Sequence, residues 1–296
     1  MSSDCILRVR DLRVSFASDD GDVAVLHGVN FDLHAGRTLG LVGESGCGKS
    51  VTAMSIMGLL PKPYGQVTAG IIEYRGTDLL RLPPLEMYAM RGNRIAIIFQ
   101  DPMTALNPVQ TIERQICEVL ELHRPELNRR QRLAVALEML QKVRIPEAQK
   151  RLKEYPHNLS GGMRQRVMIA MALACKPDIL ICDEPTTALD VTVQASILAL
   201  MNELQQETGM AMLFITHDLG VVAEVCDDVA VMYGGRIVEY AEIFELFDHP
   251  KHPYTERLLG LMPSLESEPK QMIEIKPIDA AMFASNDQVT LMGEAE

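Results

Sequence analysis

Gly43, Gly46, Gly48, Lys49 and Ser50 fall at the spacing GxxxxGK[ST] within the stretch GESGCGKS. Those residue types suit one task, the capture of a chain of phosphates. Glycines let the backbone curl until several N–H groups face one anion, and the start of a following helix adds its positive end. Lys49 is long enough to reach the outer phosphates, and the Ser50 hydroxyl is a ligand type for Mg²⁺. The pattern means little without a strand before it and a helix after it. Both are written in the chain. Thr38 to Val42 is an apolar run of buried-strand character, and the alanine- and methionine-rich stretch that follows to Leu60 reads as a helix.

Other polar residues close apolar runs in the same way. RIAIIFQ (94–100) ends on Gln100, whose amide oxygen can face Mg²⁺ or water; the plainer reading is a solvated strand end. ILICDE (179–184) ends on two carboxylates whose side chains should point in different directions. Asp183 suits the Mg²⁺ shell, and Glu184 can orient or deprotonate an attacking water. An unpaired buried acid pair kept only for structure would be costly. MAMLFITHD (210–218) leads to His217, which can hydrogen-bond a terminal phosphate or hold Glu184 and water in line. A histidine after a core strand is by itself more often structural; as the last member of this series it reads as functional. Phe16 can stack on a nucleotide base or simply fill the core beside an edge strand. In NLSGGMRQRVMIAMALACKP (158–177), Ser160 and Gly161-Gly162 open a long helix and form a second anion-binding corner. One triphosphate needs one such corner, which suggests that this one serves another subunit's nucleotide.

The elements that must position these residues alternate between two periods. Residues 5–16 read as a strand near an edge, 17–22 as a turn, 23–33 as a second strand, 70–80 as a strand and turn, and 82–93 as a short helix and loop. From Val109 to about Tyr155 the spacing turns helical throughout, and its Arg129-Arg130-Arg132 cluster reads as a solvated face. Residues 192–207 are a helix, and 219–242 a short helix, a strand, a Gly234-Gly235 turn and a hairpin strand. The tail holds HPKHPYTERLLGLMPSL and then an acidic, loosely patterned end, expected to be poorly ordered from about 264. The net charge of -12 argues against a nucleic-acid surface or electrostatic docking on anionic lipid. Six cysteines without CxxC or zinc spacing fit a reducing compartment. No apolar run reaches the ~18 residues of a membrane span, so the chain is expected in the cytoplasm.

In order, GESGCGKS, Gln100, LSGGM (159–163), ILICDEP (179–185), ALD (188–190) and His217 resemble the motif set of an ABC transporter ATP-binding subunit. QDPMTALNP (100–108), LSGGMRQRVMIAMAL (159–173), TTALDVTVQ (186–194) and HPKHPYTERLL (249–259) are similar to its oligopeptide/dipeptide importer branch, which includes nickel importers. The resemblance covers nearly all of residues 5–265. It implies an α/β P-loop NTPase fold, the ABC-type nucleotide-binding domain with a mixed core sheet and an all-helical subdomain. Residues 1–104 and 159–242 would form a RecA-like core with N-terminal antiparallel strands, 105–158 the helical subdomain, and 243–296 a partly disordered C-terminal extension.

The resemblance also implies roles. Gly43, Glu44, Ser45, Gly46, Cys47, Gly48, Lys49 and Ser50, followed by Val51, would bind ATP, with Phe16 as a loosely aligned base-stacking aromatic. Ser50, Gln100 and Asp183 would hold Mg²⁺, and Glu184, His217, Lys49 and Gln100 would act in hydrolysis. Ser160, Gly161, Gly162 and Met163 would bind the nucleotide of an opposing subunit, and Asp190 would mark the D-loop. Met163 stands where the superfamily more often has Gln, as is usual in this branch. The partners would be a second ATP-binding subunit, a paralogue as in that branch's usual heterodimer, two multi-span permeases and an extracytoplasmic binding protein, with no nucleic acid. The site of action would be the cytoplasmic face of the plasma membrane. No cysteine follows Cys226, so the branch's C-terminal iron–sulfur centre is not expected, and Ala241 replaces a glycine usual after the last strand. Import of nickel or another small solute is the nearest alternative. A non-transport ABC ATPase acting on nucleic acid or ribosomes, or a subunit without hydrolysis, stands further off.

Overall fold

The computed structural model describes residues 5–19, 21–101, 105–187 and 189–260. Two sheets carry the fold. The first is antiparallel, with β1 (Cys5–Ser18), β2 (Gly21–His34), β4 (Gly65–Tyr74) and β5 (Thr77–Asp78) in the order β2-β1-β4-β5. Here the sequence reading needs correction, because β1 lies between β2 and β4 rather than at an edge. Its register shifts break the strict alternation that marks a central strand, so the pattern looks peripheral. Both strands also run into the stretch expected as a turn, β1 continuing to Ser18 and β2 beginning at Gly21.

The second sheet has six strands in the order β10-β9-β3-β8-β7-β6. They are β3 (Thr38–Val42), β6 (Ile95–Ile98), β7 (Ile179–Asp183), β8 (Ala211–Thr216), β9 (Asp228–Tyr233) and β10 (Arg236–Glu242). The first five pair in parallel and β10 returns antiparallel to β9, so the sheet is mixed. Parallel strands with both faces covered are apolar on both sides, and the side chains divide accordingly. Leu39, Leu41, Ile95, Ile179, Ile181, Leu213, Ile215, Ala230 and Met232 face a core shared with the antiparallel sheet and helix α1 (Lys49–Ile56). Val42, Ala96, Ile98, Leu180, Cys182, Met212, Phe214, Val229 and Val231 face a second core built with the remaining helices.

Those helices are α2 (Pro84–Met90), α3 (Ile112–His123), α4 (Arg129–Lys142), α5 (Ala148–Arg151), α6 (Gly161–Leu173), α7 (Val191–Thr208), α8 (Leu219–Val225), α9 (Ile243–Asp248) and α10 (Pro253–Gly260). Thr111 caps α3, and Asn128 with Gln131 forms a capping box on α4. Ile112, Ile116 and Leu120 of α3 meet Ala136, Met139 and Leu140 of α4 and Val167 and Ile169 of α6 in one apolar cluster. Arg129 and Arg130 are exposed and Arg132 pairs with Glu121, the solvated face expected for that cluster. Residues 243–260 form two helices that return to the core, burying Leu246 and Tyr254. The remainder of the expected extension, 261–296, lies outside the described residues. Among the described residues no helix is long and apolar enough to cross a membrane.

Phe214 has no exposed surface in the middle of β8. Phe214→Ala should lower the free energy of unfolding by about 3–5 kcal/mol, measured by urea denaturation. A loss under about 1 kcal/mol would contradict its place in the central core.

Candidate nucleotide site

The parallel sheet brings four chain segments to one edge, where strands of this kind present ligand contacts. After β3 comes the glycine-rich loop, after β6 Gln100, at the end of β7 Asp183 and Glu184, and after β8 His217. Gln100 is two residues beyond the end of β6 and exposed, not the strand's last residue as the apolar run suggested. The displacement frees it to reach across, and its Nε2 donates to Glu184 Oε2 at 2.9 Å.

The loop is shaped by a close approach. Gly43 has φ 151°, and a Cβ there would lie 2.1 Å from the Met232 carbonyl oxygen. No other residue fits without moving β9. The loop then enters α1 through Gly48, in the left-handed region with φ 111°. The first N–H groups of a helix have no intrahelical partners, so this start presents donors to an anion. Lys49, only 5% exposed, turns its ammonium back onto the loop and donates to Gly43 O at 2.7 Å and Glu44 O at 2.9 Å. A cation satisfied by neutral carbonyls exchanges readily for phosphate oxygens, which make stronger charge-assisted bonds. Burial raises the Cys47 thiol above its ordinary pKa, against the pull of Lys49.

Ser50 Oγ donates to Asp183 Oδ1 at 3.0 Å, which joins the helix start to the end of β7. Asp183 is pushed above the usual carboxylate range by burial, relieved by the Ser50 hydroxyl, raised again by Glu184 and lowered by Lys49. A buried carboxylate beside a hydroxyl is a hard-oxygen pair, and the donor set fits Mg²⁺. Such an ion would relieve the cost of that burial.

Glu184 turns the other way. Its backbone has φ 48°, a left-handed conformation costly for a glutamate, while its N–H donates to Ile215 O at 2.9 Å. That twist sends the side chain to Gln100, to the Thr187 hydroxyl at 3.0 Å from Oε2, and to His217 Nδ1 at 3.1 Å from Oε1. Sequence reasoning expected His217 beside Glu184 but missed Thr187, although it lies in the PTTALD stretch that follows the acid pair. A hydroxyl at that offset was the available signal.

The second corner is built separately. Ser160 caps α6 and its Oγ accepts from Met163 N–H at 3.4 Å. A Cβ on Gly162 would lie 2.7 Å from Val193, so α6 starts tight against α7, itself capped by Asp190 through a 2.9 Å bond from Val193 N–H. Among the described residues, none of the hydrogen bonds that join the loop to Asp183, or Glu184 to its neighbours, involves Ser160, Gly161, Gly162 or Met163. Phe16 packs beside the antiparallel-sheet core, paired with Val23 and Gly65 and with its ring against Gly65. Lys49→Ala should raise the Kd for ATP about ten- to hundred-fold, the loss of one or two charge-assisted hydrogen bonds. Equilibrium titration with a fluorescent ATP analogue reads this directly, and an unchanged Kd would remove Lys49 from the site.

Comparison with known proteins agrees with this geometry. The family model described as ABC transporter matches residues 26–187. An oligopeptide transport ATP-binding protein, OppD, of Salmonella typhimurium is 52% identical over 270 residues, covering 91% of this chain and 80% of that protein. A dipeptide transport ATP-binding protein, DppD, of Bacillus subtilis is 53% identical over 274 residues, covering 93% and 81%. A probable peptide ABC transporter ATP-binding protein of Sinorhizobium fredii is 55% identical over 261 residues, covering 88% and 78%. Among solved structures, the ATP-binding cassette MJ0796, dimeric in a post-hydrolysis state with ADP and Pi, superposes with a TM-score of 0.71 at 26% identity. It covers 80% of this chain and 99% of that one. The loop on β3, the acid pair on β7 and the matched family together place this chain in the ABC transporter family, as an ATP-hydrolysing ATP-binding subunit of its oligopeptide and dipeptide branch.

Proposed function

We propose that this chain energises an importer of di- and oligopeptides, stacking with a second ATP-binding subunit so that two ATP molecules lie between them. One observation carries the reading. The chain has a complete phosphate loop with a poised acid, and a second anion corner at Ser160–Gly162 that takes no part in the hydrogen bonds of the first. A head-to-tail pair gives each such corner a nucleotide, held by the partner subunit. The solved cassette to which this fold is similar is a dimer, and the names of the relatives point to peptides.

In hydrolysis, Glu184 is the group placed to take a proton from water as its oxygen attacks the terminal phosphorus. The bond from that phosphorus to the bridging oxygen breaks, giving ADP and phosphate. Gln100, Thr187 and His217 keep the carboxylate aimed. Lys49 and the loop N–H groups stabilise charge on the phosphoryl oxygens, with the partner's anion corner closing the other side. Ser50 and Asp183 are the residues that would hold Mg²⁺, which neutralises phosphate charge. Closure of the pair would act on two membrane permeases through the surface around Gln100 and residues 105–158, at the cytoplasmic face of the membrane. An extracytoplasmic binding protein would deliver the cargo.

The test is to tag the chain in its native host with Glu184→Gln and identify what purifies with it when ATP is present. The expected result is a second ATPase, two multi-span permeases and a binding protein carrying peptide, with ATP bound and turnover down by roughly 10²–10⁴. Ribosomal proteins or DNA-repair factors without a permease would contradict the importer. Wild-type turnover would remove Glu184 from the chemistry.

A further inference from the structure

The stretch HPKHPYTERLL has no part in the chemistry above, yet it is tied to the phosphate loop. Glu239 of β10, 6% exposed, accepts backbone hydrogen bonds from Lys251 at 2.8 Å and His252 at 3.0 Å. His252 Nδ1 accepts from Tyr254 N–H at 3.1 Å. Burial lowers the His252 pKa, against the opposite pull of Glu239, which favours the neutral ring that can accept. These bonds turn Tyr254 inward, where its ring lies 4.5 Å from that of Tyr233, the last residue of β9. Only 2% of Tyr254 is exposed, and its hydroxyl accepts from the backbone N–H of Glu44 at 3.1 Å. Glu44 is the second residue of the phosphate loop, and its carbonyl and that of Gly43 are the two that hold Lys49. Burial pushes the Tyr254 phenol up to about 12, so it stays neutral across the working pH range.

We infer that Tyr254 is a positioning residue of the nucleotide site and that residues 249–255 brace the phosphate loop from behind. Through one hydroxyl the segment fixes the Gly43–Glu44 peptide, whose carbonyl oxygen holds the Lys49 ammonium. The brace rests on the loop being the ATP site, and the two ideas fail differently.

Tyr254→Phe removes that hydroxyl and keeps the ring. In the full chain, the Kd for a fluorescent ATP analogue should rise about 3–10-fold, the loss of one hydrogen bond. The melting temperature without nucleotide should fall by no more than about 4 °C. Glu239→Gln, which weakens the clasp but leaves Tyr254 in place, should shift the Kd in the same direction. Thr255→Val, at an equally buried neighbour, should leave it unchanged. An unchanged Kd in Tyr254→Phe, or an equal rise in Thr255→Val, would overturn the brace while the ATP site stands. Failure of the wild-type chain to bind the analogue would overturn both.

Discussion

The glycine-rich loop keeps its curl because its surroundings leave it little freedom, and the rest of the site is placed by reference to it. Gly43 lies so close to the Met232 carbonyl that a side chain is excluded. Gly235 N–H donates to Cys47 O at 3.0 Å, and Tyr254 accepts from Glu44 N–H. The lysine side chain closes the inside by donating to two loop carbonyls. A loop held this way loses little conformational entropy on meeting phosphate, so its N–H donors act as a preorganised cradle.

The parallel sheet converts that local shape into a catalytic arrangement. Val42 pairs with Thr216 and Asp183 with Ile215, so the strand ends that carry the loop, the acid pair and His217 are level. Two neighbouring carboxylates then face different neighbours because one residue departs from strand geometry. Asp183 ends β7 in regular extended form and meets Ser50. Glu184 adopts a left-handed backbone and swings to Gln100, Thr187 and His217. Backbone strain at one position sends two adjacent carboxylates to different sets of partners.

Much of this was legible from residue order. The phosphate loop, the acid pair and His217 each end an apolar run, and buried parallel strands announce themselves by such runs. The helical stretch between the strands showed its own period. What escaped had a physical reason. β1 is central but irregular, so its alternation resembled that of an edge. Gln100 read as a strand end because the apolar Phe99 extends the run past Ile98, where β6 ends. The clasp of Glu239 on Lys251 and His252 joins a carboxylate to backbone N–H groups, which leaves no periodic or compositional trace. Residues 249–255 were therefore legible as part of a branch motif, but not as a contact of the phosphate loop.

The central claim is that one chain carries a complete phosphate site and half of another. A structure of the assembled complex with Mg-ATP tests it most directly. The expected result places the triphosphate against Gly43–Ser50, with Lys49 moved from the Gly43 and Glu44 carbonyls to phosphate oxygens, and Ser160 facing the nucleotide of the partner subunit. Lys49 left on its carbonyls with ATP bound elsewhere, or Ser160 turned to the chain's own nucleotide, would contradict the account.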